Sequence, residues 1–334
     1  MKTILITGGA GYIGSVLSNR ILKSKLFKVI VIDNLSTGKI DFLSEKVKFY
    51  KKDILKKKDL TEIFNQNKID TIIHLSASIS VEESEKNKIK YKKNNIDATS
   101  NLISFAKRYN VKKFIFSSTA AVYGDHKKIK KLNENLKCYP QNYYGKTKLI
   151  SEKNIIKNFK EKDESYVNLR FFNVIGSSLT YKTGPIPTHS KHLIKNICNN
   201  IIKKKFKVFI YGKNYKTKDG TCVRDFIHVE DLAEIIYKIC LKINRKKNIL
   251  KTTLNCGYGY GFSVNEIVNV YERIINKKLM KIYQKRRVGD SPIVVCSNNR
   301  LKKIINWKPK YKNINFMLLN SLKWFQKYYK LYKF

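Results

Sequence analysis

Residues 7–15 read TGGAGYIGS, and this glycine-rich stretch decides the fold expected for the 334-residue chain. It follows the apolar run KTILIT at 2–7 and opens an amphipathic stretch at 12–24, so a strand, a tight loop and a helix are predicted in that order. The spacing of its glycines is typical of loops that bind the pyrophosphate of a dinucleotide at the amino end of a helix.

Each glycine of this loop has a predicted task. We expect Gly8 to permit the tight turn, Gly11 to let the backbone approach the pyrophosphate, and Gly14 to let the helix pack closely on the strand. Asp33 ends the second predicted strand, where a carboxylate can accept hydrogen bonds from a ribose diol and disfavours a 2′-phosphate. Asp53 ends the third strand and is a plausible partner of the adenine amino group. NAD is the expected cofactor, and simple capping of the backbone is the alternative for either aspartate.

The first half of the chain alternates β-branched runs with helical stretches, as a parallel sheet covered on both faces requires. Strands are predicted at 2–7, 28–33, 47–51, 69–75, 112–118 and 165–172. Helices are predicted at 12–24, 57–66, 88–109 and 143–160. This order predicts an α/β fold with a doubly wound parallel sheet of the Rossmann type.

Past residue 173 the alternation fades into turn-rich segments, which predicts a smaller C-terminal substrate-binding domain. We expect 1–173 to form the NAD-binding domain and 223–256 to return to it. The rest of 174–334 would form the cap that holds the substrate. The boundary between the two domains is therefore expected to be interleaved.

The composition excludes several classes of protein. Hydrophobic residues make up 43% of the chain, and no apolar run reaches the about 20 residues of a membrane helix. The N-terminal apolar stretch is too short for a signal peptide, so a cytoplasmic location without membrane attachment is expected. The six cysteines form no C-x-x-C pair and are interpreted as reduced thiols, and the five histidines lack the spacing of a zinc site. No metal is expected.

The formal net charge of +44 at pH 7 raises nucleic-acid binding as an alternative. Lysine supplies nearly all of the positive charge and is spread along the whole chain, and no DNA- or RNA-reading module is visible. Lysine, asparagine and isoleucine share A/T-rich codons, so a biased genome explains the composition. We expect no specific nucleic-acid partner, only weak adhesion to polyanions at low salt.

Residues 143–148 read YYGKTK and place a phenol and an ammonium on one helix. Residues four apart share a helix face, so Lys148 lies beside Tyr144 and not beside Tyr143. A free phenol has a pKa of about 10, and a nearby cation lowers it, so we expect Tyr144 to take a proton from an alcohol and return it. Lys148 could also hold a cofactor ribose. A solvated helix face is the alternative interpretation.

The stretch FSSTAAVYG at 116–124 ends the fifth predicted strand. Ligands of doubly wound sheets bind at the carboxyl ends of the strands. Thr119 or Ser118 could therefore donate a hydrogen bond to the reacting oxygen. An ordinary turn at the end of a strand is the alternative.

These motifs, with VIDNLSTG, LRFFNVIGS, DGTCVRDFIHVEDLA and RRVGDSP, occur in order from residue 3 to about 310. They resemble those of the extended short-chain dehydrogenase/reductases and, within that family, of the UDP-glucose 4-epimerases. The resemblance implies that UDP-galactose and UDP-glucose are interconverted through a 4-keto sugar, with transient hydride transfer to tightly bound NAD. UDP-GlcNAc and UDP-GalNAc are further candidate substrates.

The same resemblance assigns residues to three sites. Tyr144 would be the base, Lys148 its partner and ribose contact, and Thr119 the hydroxyl at the sugar O4. Besides Tyr144 and Lys148, the residues that match NAD-binding positions are Gly8, Gly11, Tyr12, Ile13, Gly14, Asp33, Asn34, Asp53, Ile54, Leu75, Ser76, Ala77, Asn95 and Phe172. Besides Thr119 and Tyr144, the residues that match the UDP-sugar pocket are Asn173, His192, Leu193, Tyr211, Arg224, Arg287 and Asp290.

Arginine is scarce in this lysine-rich chain, and a guanidinium fork suits phosphate oxygens, which favours a binding role for Arg224 and Arg287. Surface ion pairs are the alternative interpretation of these two arginines. Three positions depart from the family pattern. Val294 replaces a bulky Tyr of some members, so some activity on UDP-GlcNAc is expected. Ile79 replaces a Lys of some members and removes a cofactor contact, and Phe171 replaces a frequent Tyr and removes a hydroxyl.

Other functions stay open at this point. A 4,6-dehydratase would need an acid pair after Thr119, where Ala120 and Ala121 stand, and a UDP-glucuronate decarboxylase would carry Glu near Thr119. An epimerase of UDP-glucuronate, or of UDP-xylose and UDP-arabinose, remains an alternative. A noncatalytic NAD- or RNA-binding protein on this fold is a more remote one. The resemblance also implies a homodimer through the helices at 88–109 and 143–160, whose apolar positions are equally explained by packing on the sheet.

Overall fold

A computed structural model describes residues 1–126, 129–186, 192–246, 248–287 and 289–332. The strands are β1 (Lys2–Thr7), β2 (Phe27–Asp33), β3 (Lys48–Lys51), β4 (Thr71–His74), β5 (Lys113–Thr119), β6 (Ser165–Phe171), β7 (Asn173–Ile175), β8 (Lys207–Tyr211), β9 (Val223–Arg224), β10 (Phe226–His228), β11 (Lys251–Cys256), β12 (Phe262–Ser263), β13 (Met280–Gln284) and β14 (Ile293–Val294). The helices are α1 (Tyr12–Lys23), α2 (Lys57–Gln66), α3 (Val81–Lys86), α4 (Lys88–Tyr91), α5 (Ala98–Arg108), α6 (Tyr143–Asn158), α7 (Leu193–Ile202), α8 (Val229–Asn244), α9 (Val264–Ile275), α10 (Asn299–Ile305) and α11 (Ile314–Tyr332).

The centre of the molecule is a seven-stranded sheet in the order β11–β6–β5–β4–β1–β2–β3. All of its neighbouring strands are parallel. Its first six strands in chain order are those predicted from the sequence, within two residues at each end. The strand order reverses between β1 and β4, as in a doubly wound Rossmann sheet, so the predicted fold class is confirmed.

The predicted helix at 88–109 is divided by a π-helical turn at Lys92–Asp97. The turn contains Asn95, which is buried. Its side-chain amide accepts from the Ser78 N–H at 2.8 Å and donates to the Thr147 hydroxyl at 3.0 Å. A buried amide needs such partners, and wide turns of this kind are frequent beside functional sites. The polar anchor inside an otherwise regular helix is the physical reason for the difference from the prediction.

Part of the chain after β6 returns to the central sheet. β11 extends the central sheet by pairing with β6, and α8 packs against α1 on one face of that sheet. Between these helices the Arg20 guanidinium bonds to the Glu234 carboxylate at 2.5 Å and lies 3.7 Å from the centre of the Tyr237 ring.

The strands β9 and β10 do not join the central sheet. β9 pairs with β12 and β14 in one small sheet, and β10 pairs with β7 in a second. A third small sheet is formed by β8 and β13.

Two large hydrophobic clusters cover the faces of the central sheet. One joins α1 and α8 to the C-terminal helices α7, α9 and α11, and the other holds α2, α5 and α6. A smaller cluster lies beyond the carboxyl ends of β5 and β6, with the buried side chains Val122, Tyr123, Leu132, Phe172 and Cys296. This cluster supports the edge of the sheet where ligands of such folds bind.

The distinctive motif VRDFIHVEDLA contains a buried carboxylate that fastens two distant loops. Asp225 accepts hydrogen bonds from the backbone N–H groups of Tyr258 and Gly259, both at 2.8 Å, and from that of Cys296 at 3.3 Å. A buried charge is tolerated when several donors satisfy it. Asp225 therefore has a structural role.

Two further residues of this motif reach the C-terminal part of the chain. His228 accepts from the Glu230 N–H at 3.2 Å, and its other ring nitrogen lies 3.1 Å from the amide oxygen of Asn320. Asp231 accepts from the Tyr311 N–H at 2.8 Å. The motif thus ties the start of α8 to α11 and to the segment before it.

All six cysteines are free thiols, and Cys138 is the one that is not fully buried. Among the described residues, no group of three or more His, Cys, Asp or Glu side chains could hold a metal ion, and His189 lies outside those residues. No helix in the described ranges has the length and apolar character required to cross a membrane.

Two of the described histidines, His74 and His228, are buried and predict an acid-sensitive fold. Burial lowers the pKa of His228 to about 4 and that of His74 to about 3, whereas the unfolded chain keeps the ordinary value of about 6.5. Their contribution to stability is complete above pH 6.5 and is lost as the pH falls toward the folded-state values. Each should lower the free energy of unfolding by about 1.4 kcal/mol per pH unit in that window.

Urea unfolding at pH 4.5 to 7 measures this slope. In the His228→Gln variant the slope should be smaller by about one proton. Equal slopes in the wild type and in His228→Gln would contradict the prediction.

Candidate active site

The glycine loop leaves the start of α1 open. Gly8 adopts a left-handed φ of +70°, and a Cβ there would lie 2.7 Å from the backbone nitrogen of Ser76. Gly11 precedes α1 and contributes no side-chain cap, so the first N–H groups of the helix have no side-chain acceptor. An uncapped amino terminus beside a loop without side chains is suited to an anion.

Gly14 has a different neighbour from the one predicted. A Cβ on Gly14 would overlap the carbonyl oxygen of Gly8 and lie 2.6 Å from the Cα of Gly9. The close contact is therefore with the loop's own backbone. The glycine that contacts a strand is Gly9: a Cβ there would lie 2.6 Å from the methyl groups of Val31 in β2. The sequence motif did not single out Gly9.

The two predicted aspartates lie beside this loop, at the ends of β2 and β3. Asp33 accepts from the Ala10 N–H at 3.0 Å and from the Leu35 N–H at 2.9 Å, which ties the glycine loop to the end of β2. Burial raises the pKa of Asp33, and these two hydrogen bonds oppose the shift. The Asn34 amide donates to Asp53 at 3.2 Å. Each Asp33 oxygen accepts one backbone hydrogen bond, so acceptor capacity remains for a ribose diol.

The end of β4 closes the same edge of the sheet. The Ser76 hydroxyl donates to the Thr7 hydroxyl at 2.9 Å, and Thr7 contacts a ring nitrogen of His74 at 2.7 Å. These bonds hold the ends of β1 and β4 together. Three further predicted cofactor residues are half-buried, namely Ile13, Leu75 and Ala77.

Four other predicted cofactor residues are engaged within the protein. The Tyr12 hydroxyl donates to the Gly176 carbonyl at 2.6 Å, and both polar atoms of the Asn95 amide have protein partners. Ile54 and Phe172 are buried in hydrophobic clusters. For these four, direct contact with the cofactor stays a prediction.

The predicted catalytic residues meet at the carboxyl end of β5. Asn142 caps α6 by accepting from the Gly145 N–H at 2.8 Å, which sets Tyr144 in the first turn. The Thr119 hydroxyl accepts from the Ala121 N–H at 3.2 Å and lies near enough to the Tyr144 phenol to act on its pKa. Ser118, the alternative to Thr119, donates instead to the buried carboxylate of Glu152. Adjacent residues of a strand face opposite sides, which separates the two hydroxyls.

The predicted lowering of the Tyr144 pKa is wrong for the protein by itself. Burial raises the pKa of Tyr144 to about 12, and the nearby Thr119 hydroxyl opposes this only in part. The ammonium of Lys148 lies 4.4 Å from the centre of the Phe116 ring. Burial also lowers the pKa of Lys148 to about 7, so its charge is itself disfavoured. Desolvation is the effect that helix spacing did not reveal.

Sequence reasoning missed two buried residues below this site. Glu152 accepts from Arg170 twice, from Nε at 3.0 Å and from Nη2 at 2.8 Å. The Arg170 guanidinium also lies 4.7 Å from the centre of the Tyr123 ring. The signal that could have found Glu152 is the continued four-residue spacing after Tyr144 and Lys148.

The predicted UDP-sugar residues form two groups in the C-terminal part. Arg224 pairs with Asp290 at 2.5 Å. The Arg287 guanidinium lies 4.0 Å from the centre of the Tyr211 ring. Desolvation, with the positive charges of Lys195 and Arg287, lowers the pKa of His192, which places this histidine in the same group. Leu193 begins α7 directly after it.

Three contacts bring these groups toward Tyr144. The Ser291 hydroxyl lies 3.4 Å from the Gly124 carbonyl, and a Cβ at Gly289 would lie 3.4 Å from the Cβ of Gln141. The loop that carries Arg287 and Asp290 thus contacts the segments after β5 and before α6. Asn173 follows β6 and donates its backbone N–H to the Asp225 carbonyl at 3.0 Å. These contacts join the C-terminal loops to the segments at the carboxyl edge of the central sheet.

Comparisons with known proteins agree with this arrangement. The profile described as the NAD dependent epimerase/dehydratase family matches residues 4–257. The UDP-glucose 4-epimerase of Halalkalibacterium halodurans is 37% identical to this chain over 96% of it and 95% of the relative.

Two solved structures are similar along nearly the whole chain. The UDP-glucose 4-epimerase of Bifidobacterium longum, in complex with NAD+ and UDP, is 31% identical with a TM-score of 0.90, over 98% of both chains. The UDP-Glc/GlcNAc 4-epimerase of Campylobacter jejuni is 33% identical with a TM-score of 0.82, over 98% of this chain and 100% of the other.

Two glycine substitutions should separate folding from cofactor binding. Gly14→Ala forces a Cβ onto the Gly8 carbonyl, so we expect unfolding to become easier by about 2 kcal/mol or more and bound NAD to be lost. Gly11 has an ordinary φ of −77°, and a Cβ there meets only the Gly8 oxygen at 3.2 Å. Gly11→Ala should therefore fold and lose NAD. Urea unfolding and NAD released per chain are the measurements, and a fully NAD-loaded Gly11→Ala protein would contradict the expected close approach.

Proposed function

The chain belongs to the NAD dependent epimerase/dehydratase family, and we propose that within it the protein acts as a UDP-glucose 4-epimerase. The observation that carries this proposal is the position of the Tyr144 phenol beside the Thr119 hydroxyl at the carboxyl end of β5. A phenol and a hydroxyl at that place can hold one alcohol oxygen between them. Arg224 and Arg287 supply cations for a diphosphate on the side of the C-terminal loops.

The residues at the sheet edge fit NAD. The uncapped start of α1 suits its pyrophosphate, and the carboxylate of Asp33 suits a ribose diol. When bound, NAD supplies a reversible hydride acceptor for the sugar C4 and, in its oxidised form, a positive charge. That charge favours the phenolate, which the protein by itself disfavours.

The protein's own residues would then move one proton. The Tyr144 oxygen takes the proton of the sugar 4-OH and returns it to the inverted alcohol, while Thr119 keeps O4 in place. Lys148, when protonated, can hold a ribose hydroxyl and favours the phenolate across one turn of α6. The ordered exchange at a single oxygen is general acid–base catalysis in both directions.

The pocket should hold the nucleotide firmly and the sugar loosely. Arg224 and Arg287, with Tyr211, would bind the uridine diphosphate. Binding energy at that end leaves the 4-keto sugar free to turn and present its other face. We expect Asn173, the first residue of β7, to contact the sugar. This division of contacts lets one site act on both epimers.

The proposal also covers the division of the chain into two domains, a homodimer and a cytoplasmic location. Residues 1–173 with 223–256 would hold NAD, and the rest of 174–334 the UDP-sugar, which the joining of β11 to the central sheet supports. Ile150 and Ile156 of α6 are 46% and 40% exposed, which supports a homodimer contact on that helix. The predicted apolar positions of α5 are buried in the core instead. A cytoplasmic location remains part of the proposal.

A second activity, on UDP-GlcNAc, is favoured by Val294. This half-buried residue pairs with Arg224 across two strands and packs beside the cluster that contains Phe172. It occupies less volume than a tyrosine and leaves room for an N-acetyl group. The structurally similar protein of Campylobacter jejuni carries both substrates in its name.

Tyr144→Phe tests the base directly. Loss of the phenolic oxygen should lower the turnover of UDP-galactose by roughly 10²–10⁴-fold, because the proposed base beside Thr119 is removed. Tyr143→Phe is the matched control, since its ring faces Lys88 at 5.9 Å. Proton NMR of the C4 epimers measures both. Equal loss in the two variants, or none in Tyr144→Phe, would contradict the assignment.

Val294→Tyr tests the second activity. The added ring should lower the ratio of UDP-GlcNAc turnover to UDP-glucose turnover, because it fills the space beside Arg224. Ile293→Tyr, one residue earlier on the same strand and more exposed, should leave the ratio unchanged. Wild-type protein that converts UDP-glucose and never UDP-GlcNAc would refute the second activity.

A further inference from the structure

Below the catalytic residues, α6 presents a third polar side chain at the same spacing. Tyr144, Lys148 and Glu152 follow one another at intervals of four residues, so they form one stripe on the helix. Glu152 is only 2% exposed. Its carboxylate accepts from the Ser118 hydroxyl and from Nε and Nη2 of Arg170. The Glu152 carboxylate is therefore fully enclosed and has three donors.

These donors come from two adjacent strands at matching positions. Ser118 of β5 and Arg170 of β6 are direct partners in the sheet register. The next pair in that register is Thr119 with Phe171, the last residues of their strands. One carboxylate on α6 thus fixes both strands one residue before Thr119. The distance from the Thr119 hydroxyl to the Tyr144 phenol depends on this anchor, because Tyr144 lies on the same helix as Glu152.

The same carboxylate faces a buried cation. Lys148 is 3% exposed, and burial lowers its pKa to about 7, with Glu152 acting in the opposite direction. From β4 the neighbouring titratable group is His74, which stays neutral because burial lowers its pKa to about 3. From β6 the charged group is Arg170, already paired with Glu152.

Other elements that pack on α6 add no compensating charge. α3 contributes Glu85, whose carboxylate accepts from the Tyr143 N–H at 2.6 Å. Tyr143 is the first residue of α6, so Glu85 lies at the start of the helix and not beside Lys148. The π-helical turn contributes the neutral Asn95. Among the described residues, Glu152 is the carboxylate whose charge acts on Lys148.

We propose that Glu152 is a positioning residue for the epimerisation: its carboxylate fixes Thr119 against Tyr144 and compensates the buried charge of Lys148. It touches neither substrate nor cofactor and acts through these three residues. The inference rests on the proposed function for the reaction that it serves. Stability alone does not account for the arrangement, because a buried ion pair is often no more stable than apolar side chains of the same volume.

The pH profile of catalysis distinguishes this role from a structural one. Glu152→Gln removes the negative charge, so Lys148 should lose its proton at a lower pH. We expect the alkaline limb of kcat/KM for UDP-galactose to move down by about one pH unit or more. Glu152→Asp keeps the charge on a shorter side chain and should restore much of the profile while lowering kcat.

Glu164→Gln is the matched control. Glu164 is 1% exposed, its Oε1 pairs with Lys107 at 2.5 Å and its Oε2 accepts from the Glu161 N–H at 3.0 Å. It lies just before β6, at the opposite end of that strand from Phe171. We expect loss of stability without a change in the profile. A profile that is unmoved in Glu152→Gln, or moved equally in both variants, would overturn the inference.

A second measurement does not depend on catalysis. In NAD-loaded protein with ¹⁵N-labelled lysine, the Lys148 ammonium signal can be identified by its loss in Lys148→Arg and followed with pH. It should titrate at lower pH in Glu152→Gln than in the wild type, and equal values would refute the compensation of charge. If Glu152→Gln does not fold, the paired change Glu152→Met with Arg170→Met removes the ion pair and replaces it with apolar side chains. It should give a smaller downward shift, because a positive charge is removed together with the carboxylate.

The two experiments also separate the two proposals. A wild-type protein without epimerase activity, but with a Lys148 titration that depends on Glu152, would refute the proposed function and keep the role of Glu152. An active wild type whose Lys148 titration does not depend on Glu152 would keep the proposed function and refute the role of Glu152.

Discussion

Parallel pairing of β1, β4, β5 and β6 is the constraint on which the rest of the site depends. Parallel strands bring all of their carboxyl ends to one edge of a sheet, so segments far apart in the chain meet there. The glycine loop follows β1, Ser76 follows β4, Thr119 ends β5 and Asn173 follows β6. A cofactor site and a reaction site are neighbours because of this topology, before any side chain makes a specific contact.

The electrostatics of this edge disfavour charge on the catalytic groups. Burial raises the pKa of the Tyr144 phenol and lowers that of the Lys148 ammonium, so both side chains are driven toward their neutral forms. A charged cofactor and the buried carboxylate of Glu152 act against that tendency. In the proposed mechanism the base is therefore uncharged until NAD binds, and proton transfer would depend on the presence of the cofactor.

Local patterns predicted much of this structure, and long-range contacts account for what they missed. The six strands, the glycine loop and the choice of Tyr144 over Tyr143 follow from periods of two and 3.6 residues, which neighbours in sequence determine. The role of Asp225 could not be predicted, because its partner Cys296 lies 71 residues away. The pKa of Tyr144 could not either, because it depends on how much protein covers the phenol. The π-helical turn at Asn95 has the same origin, since its partner Thr147 belongs to another helix.

The central claim is that the isolated protein inverts the C4 centre of a UDP-sugar with NAD that it already holds. The most direct test mixes purified protein, without added cofactor, with UDP-galactose and follows the C4 epimers by proton NMR. Appearance of UDP-glucose is the predicted result, and it would establish both the chemistry and the retained cofactor. No conversion, even after NAD is supplied, would contradict the claim and leave a UDP-uronate or UDP-pentose as the substrate to test at the same tyrosine.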